Sequence, residues 1–138
     1  MIEFTRSIHY YETDKMGITH HANYIHLMEE ARAYYLEQIG WSYPRMESLG
    51  LASPVTKLSC RYLASTTFAD PVRVALHIKS FNGVTLTMAY TMRNQEGKTV
   101  FTAESEHCFL NAEGRLILLR KVQPELERCL MSLVEEAE

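Results

Sequence analysis

Ile2, Phe4, Ile8 and Tyr10 alternate with Glu3, Thr5, Ser7 and His9, a two-residue period that predicts a strand with one buried face. Arg6 interrupts the apolar row. From Tyr24 to Ile39 the spacing changes to that of a helix. Tyr24, Leu27, Met28, Ala31, Tyr35 and Ile39 fall on one broad stripe, with Ile25 and Leu36 at its margins. A stripe this wide predicts a helix largely wrapped by protein, about 24 Å long at 1.5 Å per residue. His21 or Asn23 is placed to cap its start, and Gly40 to stop it.

Beyond a connecting stretch with Pro44 and Gly50, strand-like segments follow one another. Leu58, Cys60 and Tyr62 alternate with Lys57, Ser59 and Arg61. Val72, Val74, Leu76 and Ile78 alternate with Arg73, His77 and Lys79. After an Asn82-Gly83 turn, Val84, Leu86, Met88 and Tyr90 alternate with Thr85 and Thr87. Turn signals at Asn94–Gly97 and Asn111–Gly114 bracket a strand in which Phe101, Ala103 and Phe109 oppose Thr102, Glu104 and Glu106. The apolar run from Leu116 to Leu119 is placed to complete the sheet. Pro124 opens a last helix with Leu126, Leu130, Leu133 and Val134 on its stripe and Glu135, Glu136 and Glu138 as a solvated end. With no internal repeat or linker, the order predicts a single α+β domain over residues 1–138, a curled antiparallel sheet around one long helix. The outer sheet face and edge strands would then need covering, which a homo-oligomer provides.

The length of 138 residues and a hydrophobic content of 46% suit one domain with a real core. A formal charge of −3 gives no electrostatic footprint for nucleic acid. Cys60, Cys108 and Cys129 form an odd set without close spacing, so neither a disulfide framework nor a zinc motif is indicated and reduced, buried thiols are expected. The first residues lack an apolar signal core and no stretch reaches the length of a membrane span, which predicts a soluble cytoplasmic protein.

Between Tyr11 and Tyr24 the chain places one carboxylate, Asp14, in a loop with Gly17, and brings His20, His21 and Asn23 to the mouth of the helix. A helix N-terminus offers unpaired N–H groups and roughly half a positive charge, both suited to a developing oxyanion. A lone acid in front of it can attack a carbonyl or activate water. No G-x-S-x-G elbow is present, which argues against an α/β-hydrolase serine enzyme. His20, His21 and His26 lack the His-Glu-x-x-His spacing of a metal site, so no metal is predicted.

The combination of Tyr10-Tyr11-Glu12, Thr13-Asp14, Gly17, His21-Ala22-Asn23-Tyr24, Glu29 and Ala31-Arg32 resembles the hotdog-fold acyl-CoA thioesterases. It is most similar to the group typified by 4-hydroxybenzoyl-CoA thioesterase and the Tol-Pal-associated thioesterases, and the resemblance spans nearly the whole chain. It implies a hotdog fold, hydrolysis of acyl-CoA with coenzyme A as part of the substrate and no separate cofactor, and sites at subunit interfaces of a homodimer or homotetramer. An acyl carrier protein thioester, or a non-catalytic acyl-CoA binding module, are the alternatives.

By the same resemblance Asp14 is the catalytic carboxylate, as nucleophile or as general base, and the His21 N–H is the oxyanion donor. The His21 ring orients substrate, hydrogen-bonds the thioester oxygen or holds the loop, and Gly17 gives backbone freedom or close approach. Asn23 caps the helix or touches the ligand, Tyr24 packs beside the site, and Glu29 is a buried hydrogen-bond partner at the far side of the site or pairs with Arg32 at helical spacing, with Glu29 and Glu30 a secondary source of a catalytic acid. Lys57, Ser59 and Arg61 on one strand face, Asn82, Gly83 and Thr85 at the turn, and the basic pair Arg120 and Lys121 are the candidate coenzyme A contacts. Met16 and Met46 are placed to line an acyl channel. A thiol leaves with an unperturbed pKa of about 8.5, so a departing thiolate needs little help from a general acid and one carboxylate can suffice.

Overall fold

In the computed structural model, which describes residues 1–135, strand β1 (Ile2–Ser7) leads through a single 3₁₀ turn (Tyr10–Glu12) to helix α1 (Ala22–Gln38). Helix α2 (Tyr43–Ser48) and strands β2 (Val55–Tyr62), β3 (Pro71–Phe81), β4 (Leu86–Arg93) and β5 (Thr99–His107) follow. Two helices, α3 (Leu119–Val122) and α4 (Pro124–Ser132), close the chain. Glu136 and Glu138 of the expected solvated end lie outside the described residues. The five strands form one antiparallel sheet in the order β1-β3-β4-β5-β2. This is the expected α+β arrangement of a curled sheet around a long helix.

The alternation read from the sequence decides which face is inside. Val74, Leu76 and Ile78 of β3 stand opposite Met92, Tyr90 and Met88 of β4, and all six are buried with Tyr24, Leu27, Met28, Ala31 and Tyr35 of α1 in one core. Burial of each large apolar side chain contributes about 1.5–3 kcal/mol, so this face fixes the register. At the far end of α1, Gly40 adopts φ +87°, which an L side chain reaches only with strain, and the chain turns there as expected.

Several expectations change. α4 stops at Ser132, short of Leu133 and Val134, and β5 at His107, short of Phe109. β1 ends at Ser7 rather than running to Tyr10, because the 3₁₀ turn reverses the chain: Ile8 stays buried while Tyr10 and Tyr11 swing out to solvent and Glu12 turns in. The run Leu116–Leu119 does not form a strand. Leu116 makes one isolated bridge with Leu110, and the fully buried Leu119 starts α3. The connecting stretch contains α2, whose Ser42 Oγ accepts the Arg45 N–H and whose Pro44 needs no donor in the first turn. Met46, expected at an acyl channel, is buried in the core.

Strand β2 sits at the sheet edge with every residue exposed, including Leu58, Tyr62 and Cys60. The cysteines are unpaired, as expected, but none is buried: Cys60 is on the surface, and Cys108 and Cys129 are half-buried. No helix among the described residues is long and apolar enough to cross a membrane.

Candidate active site

The loop after the 3₁₀ turn is fixed from both ends before any side chain acts. Thr13 bridges Thr19, the Asp14 N–H donates to the Ile18 carbonyl at 2.9 Å, and the Gly17 N–H donates to the Asp14 carbonyl at 2.9 Å. Gly17 turns the chain at φ +80°, the conformational role anticipated for it. Thr67 Oγ1 donates to the Gly17 carbonyl at 2.7 Å, and a buried hydroxyl chain, Thr19 Oγ1 to Thr66 Oγ1 to Tyr24 OH at 2.7 and 2.8 Å, ties the loop to α1.

This holds Asp14 with one oxygen occupied and one open. Its Oδ1 accepts the Met16 N–H at 2.8 Å, and no described donor reaches Oδ2. Asp14, Met16, Ile18, Thr19, His21, Tyr24, Tyr62, Leu63, Ala64 and Ser65 line a cleft of about 400 Å³. Of the two methionines assigned to an acyl channel, Met16 is therefore at the cleft.

His21 precedes the first residue of α1. Its carbonyl already accepts helix bonds and the Tyr62 hydroxyl at 2.9 Å, while no described acceptor takes its N–H. The Ala22 N–H is turned toward His20 Nδ1 at 3.2 Å, and the Asn23 N–H toward the His20 carbonyl. The unpaired His21 N–H thus lies at the positive end of a 17-residue helix, and His21 lines the same cleft as Asp14. The His21 ring stacks on His20 with centroids 4.3 Å apart and meets Tyr62 edge-on. It makes no side-chain cap.

Asn23 does not cap the helix either. It lies inside the first turn, and its Nδ2 donates to the Glu12 carbonyl at 2.8 Å, with Oδ1 facing His26 Nδ1 at 3.2 Å. Tyr24 is buried and stacked on Phe101, a wall of the cleft as well as a packing residue.

The interruption at Arg6 proves to be the inner anchor of the loop. Its guanidinium makes paired bonds of 2.7 and 2.8 Å to both oxygens of the buried Glu12, and two bonds of 2.8 Å to Glu30 on α1. Glu12 Oε1 also accepts the His9 N–H, and the Glu12 carbonyl accepts the His20 N–H at 2.8 Å. The hydrogen bonds from Arg6 hold the Glu12 carboxyl below the ordinary carboxylate range. Glu30 is therefore engaged structurally. Glu29 faces Arg32 Nη1 at 3.9 Å and accepts the Tyr43 hydroxyl at 2.7 Å, the structural part expected of it.

The candidate coenzyme A contacts are brought together in part. Ser59 and Arg61 line a groove of about 330 Å³ on the outer sheet face with Cys60, Thr102, Ala103 and Glu104. Asn82 and Thr85 line another of about 360 Å³ with Ser80, Phe81, Thr87 and Glu106, and Lys57 reaches that Glu106 at 3.6 Å. Asn82 Oδ1 is occupied by the N–H groups of Val84 and Thr85, and Gly83 is buried beneath the turn. Arg61 faces no carboxylate within ion-pair distance among the described residues. Arg120 and Lys121, on α3, line neither groove.

The sequence reading passed over Ser105 and His107, although the row Phe101, Ala103, Ser105, His107 continues the inward period of β5. His107 is fully buried, its Nε2 is 2.6 Å from Ser105 Oγ, and burial together with the Arg32 charge pushes its pKa down to about 3. The ring is neutral at pH 7. The unfolded chain, with an ordinary histidine, binds a proton near pH 6.5, so stability falls as pH drops through that value toward 3. The expected loss from this group between pH 7 and pH 5 is about 2 kcal/mol. Urea unfolding at the two pH values measures it, and His107→Gln should flatten the difference; a parent curve independent of pH over this range contradicts it.

A model of the Thioesterase-like superfamily matches residues 8–131. A Bacillus subtilis protein provisionally named acyl-CoA thioesterase YneP is 32% identical over 119 residues, covering 86% of each chain. The acyl-CoA thioester hydrolase YbgC of Escherichia coli is 27% identical over 97 residues, covering 70% of this chain and 72% of its own. Among solved structures, the DHNA-CoA thioesterase of Staphylococcus aureus superposes with a TM-score of 0.90 at 28% identity, over 94% of this chain and 88% of that one.

Proposed function

This chain belongs to the Thioesterase-like superfamily, and from that premise we propose that it hydrolyses the thioester of an acyl-CoA to a free carboxylic acid and coenzyme A. One observation carries the reading: Asp14, whose carboxylate has an open oxygen, and His21, whose helix N-terminal N–H has no acceptor among the described residues, line the same cleft.

The substrate carbonyl oxygen accepts the His21 N–H, where the helix end stabilises the charge that develops on it. Asp14 supplies the attack. It either takes a proton from a water whose oxygen bonds to the carbonyl carbon, or bonds to that carbon itself and forms an anhydride that water then cleaves. In both routes the tetrahedral oxyanion collapses by breaking the carbon–sulfur bond, the coenzyme A thiolate leaves with the electron pair, and it is protonated from solvent. Water is the only co-reactant, and coenzyme A enters as part of the substrate.

Arg61, without an acidic partner among the described residues, and Lys57 are offered to the coenzyme A phosphates, with Ser59, Asn82 and Thr85 along the outer grooves. A cytoplasmic setting suits three unpaired cysteines. The fully exposed β2, with Leu58 and Tyr62 uncovered, supports a homodimer or homotetramer joined at this edge, beside the cleft that Tyr62 lines. Sedimentation equilibrium returning a monomer at micromolar concentration would overturn that assembly. The activity is tested on a panel of short, long and aromatic acyl-CoAs with release of thiol as the readout. Failure to turn over any member would remove the enzymatic reading.

A further inference from the structure

A second cavity lies along the same seam between α1 and β2, beyond the Asp14 cleft. It encloses about 180 Å³, somewhat more than the roughly 150 Å³ apolar cavity that takes up benzene. Its rim is exposed, apolar at Ile25, Val55 and Leu58 and acidic at Glu29, with Met28 as a wall. Its floor is of another kind: Arg32, Tyr90, Ser105 and His107, all buried.

Tyr90 OH, Ser105 Oγ and His107 Nε2 form a continuous chain at 2.8 and 2.6 Å. Two polar atoms of this floor are left over. Arg32 Nε and His107 Nδ1 are buried and have no hydrogen-bond partner among the described residues, although the Arg32 Nη2 donates to the Ser53 carbonyl at 2.7 Å. Buried polar atoms without partners are costly, so an occupant bringing an oxygen acceptor to this floor is favoured.

The charge balance narrows the chemistry. Arg32 faces Glu29 at 3.9 Å, so the two together carry no net charge, and the neutral His107 adds none. A carboxylate entering here would meet Glu29; a hydroxyl or ketone oxygen meets the Arg32 N–H without that opposition. The apolar rim suits the carbons that carry such an oxygen.

The cavity and the Asp14 cleft are both walled by α1 and β2. Ile25 follows Tyr24, a wall of the Asp14 cleft, and Leu58 and Tyr62 point to the same side of β2. From His21 to Met28 the helix rises about 10 Å. An acyl group whose carbonyl sits at the His21 N–H and whose chain runs along α1 toward Met28 would reach this cavity.

Resting on the thioesterase reading above, we propose that this cavity receives the far end of the acyl group and selects for a neutral oxygen there, a hydroxyl or keto group, with Arg32, Ser105 and His107 as specificity-determining residues.

The test compares kcat/KM of the parent enzyme for ω-hydroxydecanoyl-CoA and decanoyl-CoA, which share a carbon skeleton. A site built to hydrogen-bond a substrate hydroxyl discriminates against the analogue lacking it, and the hydroxylated thioester should be preferred by at least about tenfold. Tyr90→Phe and Ser105→Ala, which each remove one hydroxyl from the chain, should bring the ratio toward one. The parent ratio needs no variant, so the test stands even if either substitution disturbs folding. Equal kcat/KM for the pair, a ratio unchanged in both variants, or no turnover of either member by an enzyme that hydrolyses other acyl-CoAs would each overturn the selection and leave the thioesterase reading intact. No turnover of any acyl-CoA would overturn the reading and the selection with it.

Discussion

Asp14→Asn is expected to lower kcat on the best acyl-CoA by about a thousandfold, within the 10²–10⁴ that a positioned base contributes and more where the carboxylate is the nucleophile. The substitution is a clean one here. The asparagine Oδ1 can still accept the Met16 N–H, so the turn that carries the residue keeps its hydrogen bond, while the open oxygen becomes an amide nitrogen that neither attacks nor takes a proton. KM should move by only a few-fold, because the His21 N–H and the walls at Tyr24 and Tyr62 that would hold the substrate are untouched. Thermal unfolding should not change. Retention of more than about a tenth of the parent kcat would exclude Asp14 from the chemistry. A fall in kcat accompanied by a lower melting temperature would instead mark the loop as disturbed.

How much of this was visible in the chain depends on the range of the interaction. The period-two rows of β3 and β4 and the wide stripe of α1 are local patterns, and each lands where the alternation puts it, with Val74, Leu76 and Ile78 facing inward. The loop at Asp14 and the helix start behind it are local as well. Arg6 is the opposite case. In the sequence it breaks an apolar row, because the carboxylate that answers it from α1 lies 24 positions away. Tyr10 looked like the last inward residue of β1 until the burial of Glu12 beside Arg6 turned the chain. Asn23 has the composition of a cap, yet the Glu12 carbonyl, 11 residues earlier, claims its amide. The leucine-rich run from 116 to 119 carries no period at all, so its burial could be read but not its conformation. At β2 the alternation is present and the burial is not, which a single chain has no means of signalling: Leu58, Cys60 and Tyr62 of the inward row stay exposed, although Tyr62 reaches the His21 carbonyl and packs edge-on against Tyr24 and Phe101.

The same Arg6 carries the largest expected effect on stability. Arg6→Met leaves Glu12 buried with only the His9 N–H to answer it, and breaking a buried ion pair from one side costs about 3–5 kcal/mol. For a domain of this size that is a fall in melting temperature of about 10–20 °C. The double variant Arg6→Met, Glu12→Gln should recover part of the loss, since the second change removes the stranded charge. The pH dependence has a definite sign. Arg6 holds the Glu12 carboxyl below its unfolded value near 4.5, so the stabilisation is present above that pH and is lost as pH falls through the lowered value; Arg6→Met should flatten the acid limb of the stability curve. Activity should follow as well. The Glu12 carbonyl accepts both the His20 N–H and the Asn23 amide, so Glu12 sets the spacing between the Asp14 loop and the helix end that must face the same carbonyl. A structural role alone would lower the melting temperature and leave kcat of the folded enzyme at low temperature unchanged. A positioning role lowers that kcat at near-constant KM, because reacting groups displaced by about 1 Å lose rate of the order of a hundredfold. Arg6→Lys, which restores a charge without the paired fork, should recover stability better than it recovers rate. An Arg6→Met enzyme with parental melting temperature would show that the Arg6–Glu12 pair does not hold the loop.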